Sequence, residues 1–139
     1  MAWQIGNEPR AFSHKMKQPF AKWLMETSTL IKSIDSNHLV SIGSEGTWGC
    51  ENDPELCEQI SSDPNIDYLT VHVWPYVWGW TTKGTLKEDL QSVKQNTYNY
   101  IQENISIANK LHKPVVIEEF GFPRDQGEFS RESSTQTRD

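Results

Sequence analysis

The sequence has 139 residues, 13 basic against 19 acidic, for a net charge of −6. That length suits one ordinary domain, and the acidic balance without any Lys/Arg cluster argues against nucleic acid or an anionic membrane as partner. No run of about 18 apolar residues exists, so nothing is expected to span a bilayer. At 35% hydrophobic the chain can still bury a core.

The elements follow in chain order. Ala2–Gly6 reads as a strand, and Met1 leads straight into it, with nothing resembling a leader peptide. Gln18–Ile34 reads as a helix with Pro19 in its first turn and Phe20, Trp23, Leu24, Thr27, Ile31 and Ile34 on one face. Leu39–Gly43 is a second strand, followed by the glycine-rich stretch Ser44–Gly49. Pro54–Ile60 is a short helix and Tyr68–His72 a third strand. Leu86–Leu111 is a long helix, opened by a capping box of Thr85 and Glu88. Its apolar stripe runs Leu86, Leu90, Val93, Ile101, Ile105, Ala108, Leu111. Val115–Glu118 is the fourth strand, and the polar tail from Arg124 to Asp139 contains no core segment. The expectation is therefore a piece of a larger domain, cut at both ends.

Strands alternating with helices at about 30–45 residues per unit predict an α/β fold with parallel strands. An open doubly wound sheet competes with part of a (β/α)8 barrel. No glycine-rich phosphate loop follows a strand, which weakens the nucleotide-binding version. A barrel needs roughly 250 residues, so this chain supplies about four of its eight units.

Barrel sites form on the loops after the strands. Those loops carry Asn7-Glu8-Pro9-Arg10, then Ser44–Gly49, then His72 with Trp74, Tyr76, Trp78 and Trp80, and finally Glu118-Glu119-Phe120-Gly121. Polar and aromatic groups gather at this one end of every strand, while the opposite loops are nearly free of aromatics.

Six Trp, four Tyr and five Phe are many for this length. An indole face matches the C–H face of a pyranose, so the Trp74, Trp78 and Trp80 loop reads as a sugar platform, whereas Trp3 and Trp23, inside elements, read as core.

Two carboxylates, Glu8 and Glu119, stand at matching strand ends. Either alone is an ordinary exposed or capping group. Facing each other about 5–5.5 Å apart, they suit retaining glycoside hydrolysis, one as proton donor and the other as nucleophile. Strand alternation sends one of Glu118 and Glu119 toward the site and the other away, without saying which. His72 lies on the strand face of Tyr68 and Thr70, where it can orient substrate or serve structure. The four histidines show no metal-ligand spacing, so no metal and no cofactor are expected. Cys50 and Cys57, seven positions apart, are read equally as a disulfide or as two free thiols.

Trp3-Gln4-Ile5-Gly6-Asn7-Glu8-Pro9-Arg10 resembles the acid/base strand of glycoside hydrolase family 5, and Val116-Ile117-Glu118-Glu119-Phe120-Gly121 resembles its nucleophile strand. Between them, Gly43–Gly46, Gly49–Asp53 and Ile66–Tyr76 resemble the endo-β-1,4-mannanase branch. The resemblance implies a partial (β/α)8 TIM barrel, about strands 4 to 7, in a secreted or periplasmic enzyme acting on β-mannan. It implies Glu8 as acid/base, Glu119 as nucleophile, Asn7 on the sugar 2-hydroxyl and His72 lining the site. Where relatives carry Tyr two residues after this His, Trp74 stands here, and its indole N–H is the available substitute donor. The family's strands 1–3 and 8 have no counterpart in these residues, which implies that the piece alone is inactive and poorly soluble. A β-glucanase of the same fold and an inactive sugar-binding fragment are the alternatives.

Overall fold

The structure is a computed structural model and describes residues 1–128 and 130–138. In chain order it contains β1 (Ala2–Gln4), α1 (Lys17–Ile34), β2 (Leu39–Ser41), α2 (Pro54–Ser61), β3 (Leu69–Val73), α3 (Leu86–Leu111) and β4 (Val115–Phe120). Every strand pairing is parallel, β1 with β2 and β3 with β4. The α/β alternation expected from sequence is thus present.

The four strands do not form one continuous ladder. Between β2 and β3 a handful of bonds replaces it. The Val40 N–H donates to Asp67 Oδ2 at 2.7 Å, and the Asp67 N–H returns to the Val40 carbonyl at 2.8 Å. Further along, the Thr70 hydroxyl donates to the Ser44 carbonyl at 2.7 Å and the His72 N–H to the Glu45 carbonyl at 3.1 Å. Backbone and side-chain groups share this seam.

β4 departs from regular pleat. Leu69 pairs with Val115 and Val71 with Ile117, but His72 pairs with Glu119. Glu118 is the extra residue of a bulge, which bends a strand and re-aims its side chains. Simple alternation, which sends Glu118 and Glu119 to opposite faces, is therefore corrected: both reach the same histidine.

Each helix is set by local chemistry. α1 holds Pro19 in its first turn and buries Phe20, Ala21, Leu24 and Ser28. The Ser28 hydroxyl donates to buried Asp63 at 2.9 Å, so a polar residue is tolerated inside. The core expectation for Trp3 and Trp23 is corrected, since they are 52% and 46% exposed. Trp23 lies off the Leu24–Ser28 stripe and stacks on Phe20. Trp3 belongs to a strand with no buried residue and donates its indole N–H to Asp35 at 2.9 Å. That bond, with those of His38, holds the Asp35 carboxyl well below the usual range.

α2 starts at Asp53, which accepts the Glu55 and Leu56 N–H groups, with Pro54 in the first turn. α3 starts after Thr85 as expected, but the capping box does not form. The Thr85 hydroxyl engages Asp89 and makes no bond to a helix N–H. Beyond the predicted stripe, α3 buries Tyr100, Asn104 and Ile107.

The main core packs Leu24, Val40, Ile60, Ile66, Leu69 and Ile107 between the three helices and β2 and β3. Truncating one such buried leucine or isoleucine to alanine costs about 2–5 kcal/mol. Cys50 and Cys57 are both free buried thiols, and the Cys57 thiol beside it, together with burial, pushes the Cys50 thiol up. No described helix is long and apolar enough to cross a membrane.

Candidate active site

The loops after β1, β2 and β3 and the end of β4 meet at one end of the strands. Glu8 sits in the left-handed region, φ 49°, and donates its N–H to the Gly43 carbonyl at 2.9 Å. A non-glycine residue in this conformation is costly and persists only where its surroundings enforce it. Gly43 itself has φ 78°, and a Cβ there would run into the Gly6 carbonyl and the Gln4 side chain. Glycine at 43 therefore lets the first loop close over the second.

His72, 1% exposed, is the hub. Its Nδ1 lies 2.9 Å from Glu8 Oε1 and 3.4 Å from Glu119 Oε2. One carboxylate oxygen each of Glu8 and Glu119 and a ring nitrogen of His72 lie within 4.8 Å of one another. Glu119 Oε2 also accepts the Trp74 indole N–H at 2.9 Å, the donation expected in place of a phenol. These atoms satisfy each other by hydrogen bonds, and an indole donor aimed at the carboxylate oxygen competes with any cation for its lone pairs.

Two residues not singled out from sequence complete the wall. Arg10 forms an ion pair with Glu45, whose side chain is only 2% exposed. Burial pushes the Glu45 carboxyl up, Arg10 opposes this, and the charge of Glu8 pushes it further up. The backbone carbonyl of Glu45 accepts the Tyr100 hydroxyl. Their signal in the sequence was only position, Arg10 two residues past Glu8 and Glu45 two past Gly43.

Glu8, Arg10, Glu45, Trp48, Trp74, Val77 and Trp78 line an open groove of about 490 Å³. A larger apolar hollow of about 790 Å³ beside α3 and Phe120–Phe122 holds none of the paired carboxylates. Trp74 and Trp78 line the groove. Trp80 is placed differently. It packs edge-on against Trp78 at 5.2 Å, and against Trp48 and Tyr100, and does not line the groove. Trp48 stacks on Trp78 at 4.7 Å. Asn7 stands exposed next to Glu8.

Glu8 and Glu119 thus meet at His72, beside an aromatic-lined groove on a parallel α/β scaffold. A family model described as GH family 5 beta-mannosidase-like matches residues 1–139, and the chain belongs to that family. It is 32% identical over 135 residues to mannan endo-1,4-beta-mannosidase 2 of Arabidopsis thaliana, covering 87% of this chain and 30% of the relative. It is 34% identical over 134 residues to mannan endo-1,4-beta-mannosidase 4 of Solanum lycopersicum, covering 87% and 31%.

Among solved structures, a glycoside hydrolase family 5 mannosidase from Rhizomucor miehei superposes with a TM-score of 0.83 at 30% identity, over 99% of this chain and 32% of that one. The endo-1,4-beta-D-mannanase from Thermotoga petrophila gives 0.73 at 29% identity, over 92% and 38%. The fold is accordingly a fragment of the family's TIM barrel, and the chain spans about 30% of the length of these curated relatives.

Proposed function

We propose that these residues are the central part, strands 4 to 7, of the catalytic barrel of a retaining endo-β-1,4-mannanase. One observation carries the reading: a carboxylate oxygen of Glu8 and one of Glu119 lie within 4.8 Å of each other, against the same His72. Retaining enzymes hold their carboxyls about 5–5.5 Å apart, whereas inverting enzymes leave about 6.5–9.5 Å for a water. The relatives named as mannan endo-mannosidases, and the Rhizomucor miehei mannosidase variant crystallised with mannosyl-fructose, support a β-mannan substrate.

Glu119, held through Oε2 by Trp74 and His72, attacks the anomeric carbon with its other oxygen. Glu8 protonates the leaving oxygen, and the sugar is left esterified to Glu119. Glu8 then takes a proton from water, which attacks the same carbon and restores both groups. Trp74 and Trp78 stack on the sugar, Asn7 bonds its 2-hydroxyl, and Trp80 supports Trp78 from behind. Action on an insoluble polymer fits a secreted or periplasmic enzyme. Turnover requires the remainder of the barrel, so residues 1–139 alone are expected to be inactive and poorly soluble.

The test is reducing-sugar release from β-mannan against cellulose by the full-length gene product. Mannan is expected to be cleaved. Glu119→Ala and Glu8→Ala should each lower kcat by several orders of magnitude; undiminished turnover in Glu119→Ala would refute the nucleophile assignment. Faster release from cellulose would favour a β-glucanase, and binding without release an inactive module.

A further inference from the structure

Asn104-Ile105-Ser106 is the one Asn-X-Ser/Thr triplet in the 139 residues, and its middle position is not proline. Such a triplet is the acceptor for N-linked glycans, which are bulky and polar and belong on surface loops. Here it lies inside α3, between Leu86 and Leu111.

The fold uses Asn104 for something else. The residue is fully buried, and both ends of its amide are engaged. Oδ1 accepts the Thr47 N–H at 3.0 Å. Nδ2 donates to the Tyr100 carbonyl at 2.9 Å and to the Thr47 hydroxyl at 3.5 Å. Gly46, at φ 99°, lies so close that a Cβ there would run into Oδ1. This amide pins the loop after β2 to α3, and that loop carries Glu45 and Trp48 into the wall of the groove. Ser106, by contrast, is exposed. Residues i and i+2 do not share a helix face, so folding parts the amide from the hydroxyl that a glycan transferase reads with it.

We infer that Asn104 is an N-glycan acceptor in the unfolded chain alone, and that a glycan there and the folded chain exclude each other. Transfer breaks the bond from the sugar C1 to the pyrophosphate of a lipid-linked oligosaccharide and forms a C1–Nδ2 bond. One amide proton leaves with the lipid pyrophosphate. Nδ2 then keeps a single N–H, and the sugar needs space that a close-packed interior does not have. With the amide expelled, the Thr47 N–H loses its acceptor and the loop its anchor. That this also costs catalysis rests on the groove being the active site proposed above. An export route that folds the chain away from such a transferase keeps Asn104 bare, and one that glycosylates it first yields no enzyme.

The test expresses the full-length gene product and its Ser106→Ala variant in a eukaryotic secretory host and in a bacterial host without N-glycosylation. The variant abolishes the triplet and leaves Asn104 with its bonds. Peptide mass mapping reads Asn104 apart from any other acceptor in the full chain. In the secretory host, wild type should carry the glycan on Asn104 only in retained, insoluble material, while its secreted, folded fraction has Asn104 bare. Ser106→Ala should be secreted in severalfold larger amount, whereas the bacterial host should yield the two equally. Folded, secreted wild type with a glycan on Asn104 would overturn the inference. So would the absence of glycan at Asn104 from every fraction, or equal secretion of the two chains. Secreted Ser106→Ala enzyme that leaves mannan uncut would instead overturn the assigned activity and leave the glycan result standing.

Discussion

The Trp74 indole donates to Glu119 at one end and covers Gly121 at the other. Its N–H reaches Glu119 Oε2 at 2.9 Å, while a Cβ at Gly121 would run into the six-membered ring. The aim of Glu119 and a glycine two residues further on are thus linked through one rigid side chain.

Trp74→Phe keeps the apolar ring and removes the donor. kcat on mannan should fall about tenfold, the equivalent of one hydrogen bond of about 1.4 kcal/mol, with little change in the melting temperature. Steady-state kinetics beside a thermal melt check it. An unchanged kcat would mean that the indole N–H does not matter to Glu119.

Gly121→Ala should do the opposite. The new methyl displaces the indole, and overpacking of this kind costs about 1–3 kcal/mol. Both stability and kcat should drop, and Trp74→Ala in the same chain should restore part of the stability by clearing the space. A denaturant melt of the single and double variants decides it.

Asp53 caps α2 and binds Lys17 Nζ at 2.7 Å. The Lys17 contact, then the helix N–H bonds, lower its carboxyl from the ordinary value. A depressed carboxylate contributes stability above its unfolded-state titration, and the contribution is lost as pH falls through the folded one. Asp53→Ala should cost about 1 kcal/mol at neutral pH. The gap between the two melting curves should close in acid, below the usual carboxylate range.

The Tyr100 hydroxyl is pushed well above its usual range by burial, and it donates to the Glu45 carbonyl while accepting the Trp48 N–H at 3.4 Å. Tyr100→Phe should destabilise the chain by about 1 kcal/mol, the lower end for a buried hydroxyl, because the Glu45 carbonyl still accepts the His72 N–H. Equilibrium unfolding in urea measures it.

Much of this was legible in the residues. α3 runs from Leu86 to Leu111 as its periodicity predicts, and α1 and α2 differ by a residue at one end. The convergence of Glu8 and Glu119 followed from loop position and family resemblance. What escaped was decided by tertiary partners. Asn104 is fully buried, though polar, because its amide meets the Thr47 N–H and the Tyr100 carbonyl. Trp80 packs behind Trp78 instead of lining the groove, since a run of alternating aromatics does not reveal which rings stack on each other. Arg10 and Glu45 pair across 35 positions, beyond the reach of any local pattern. Regular alternation misplaced Glu118, because an inserted residue leaves no mark in composition.

That insertion makes the site sensitive to chain length. Deleting Ile117 would straighten the strand, pairing Glu118 with Val71 and Glu119 with His72, and rotate one acid to the far side. No substitution could mend such a loss, since the defect would lie in the count of peptide units. Adjacent acids can share a single ring here only because the backbone skips a beat between them.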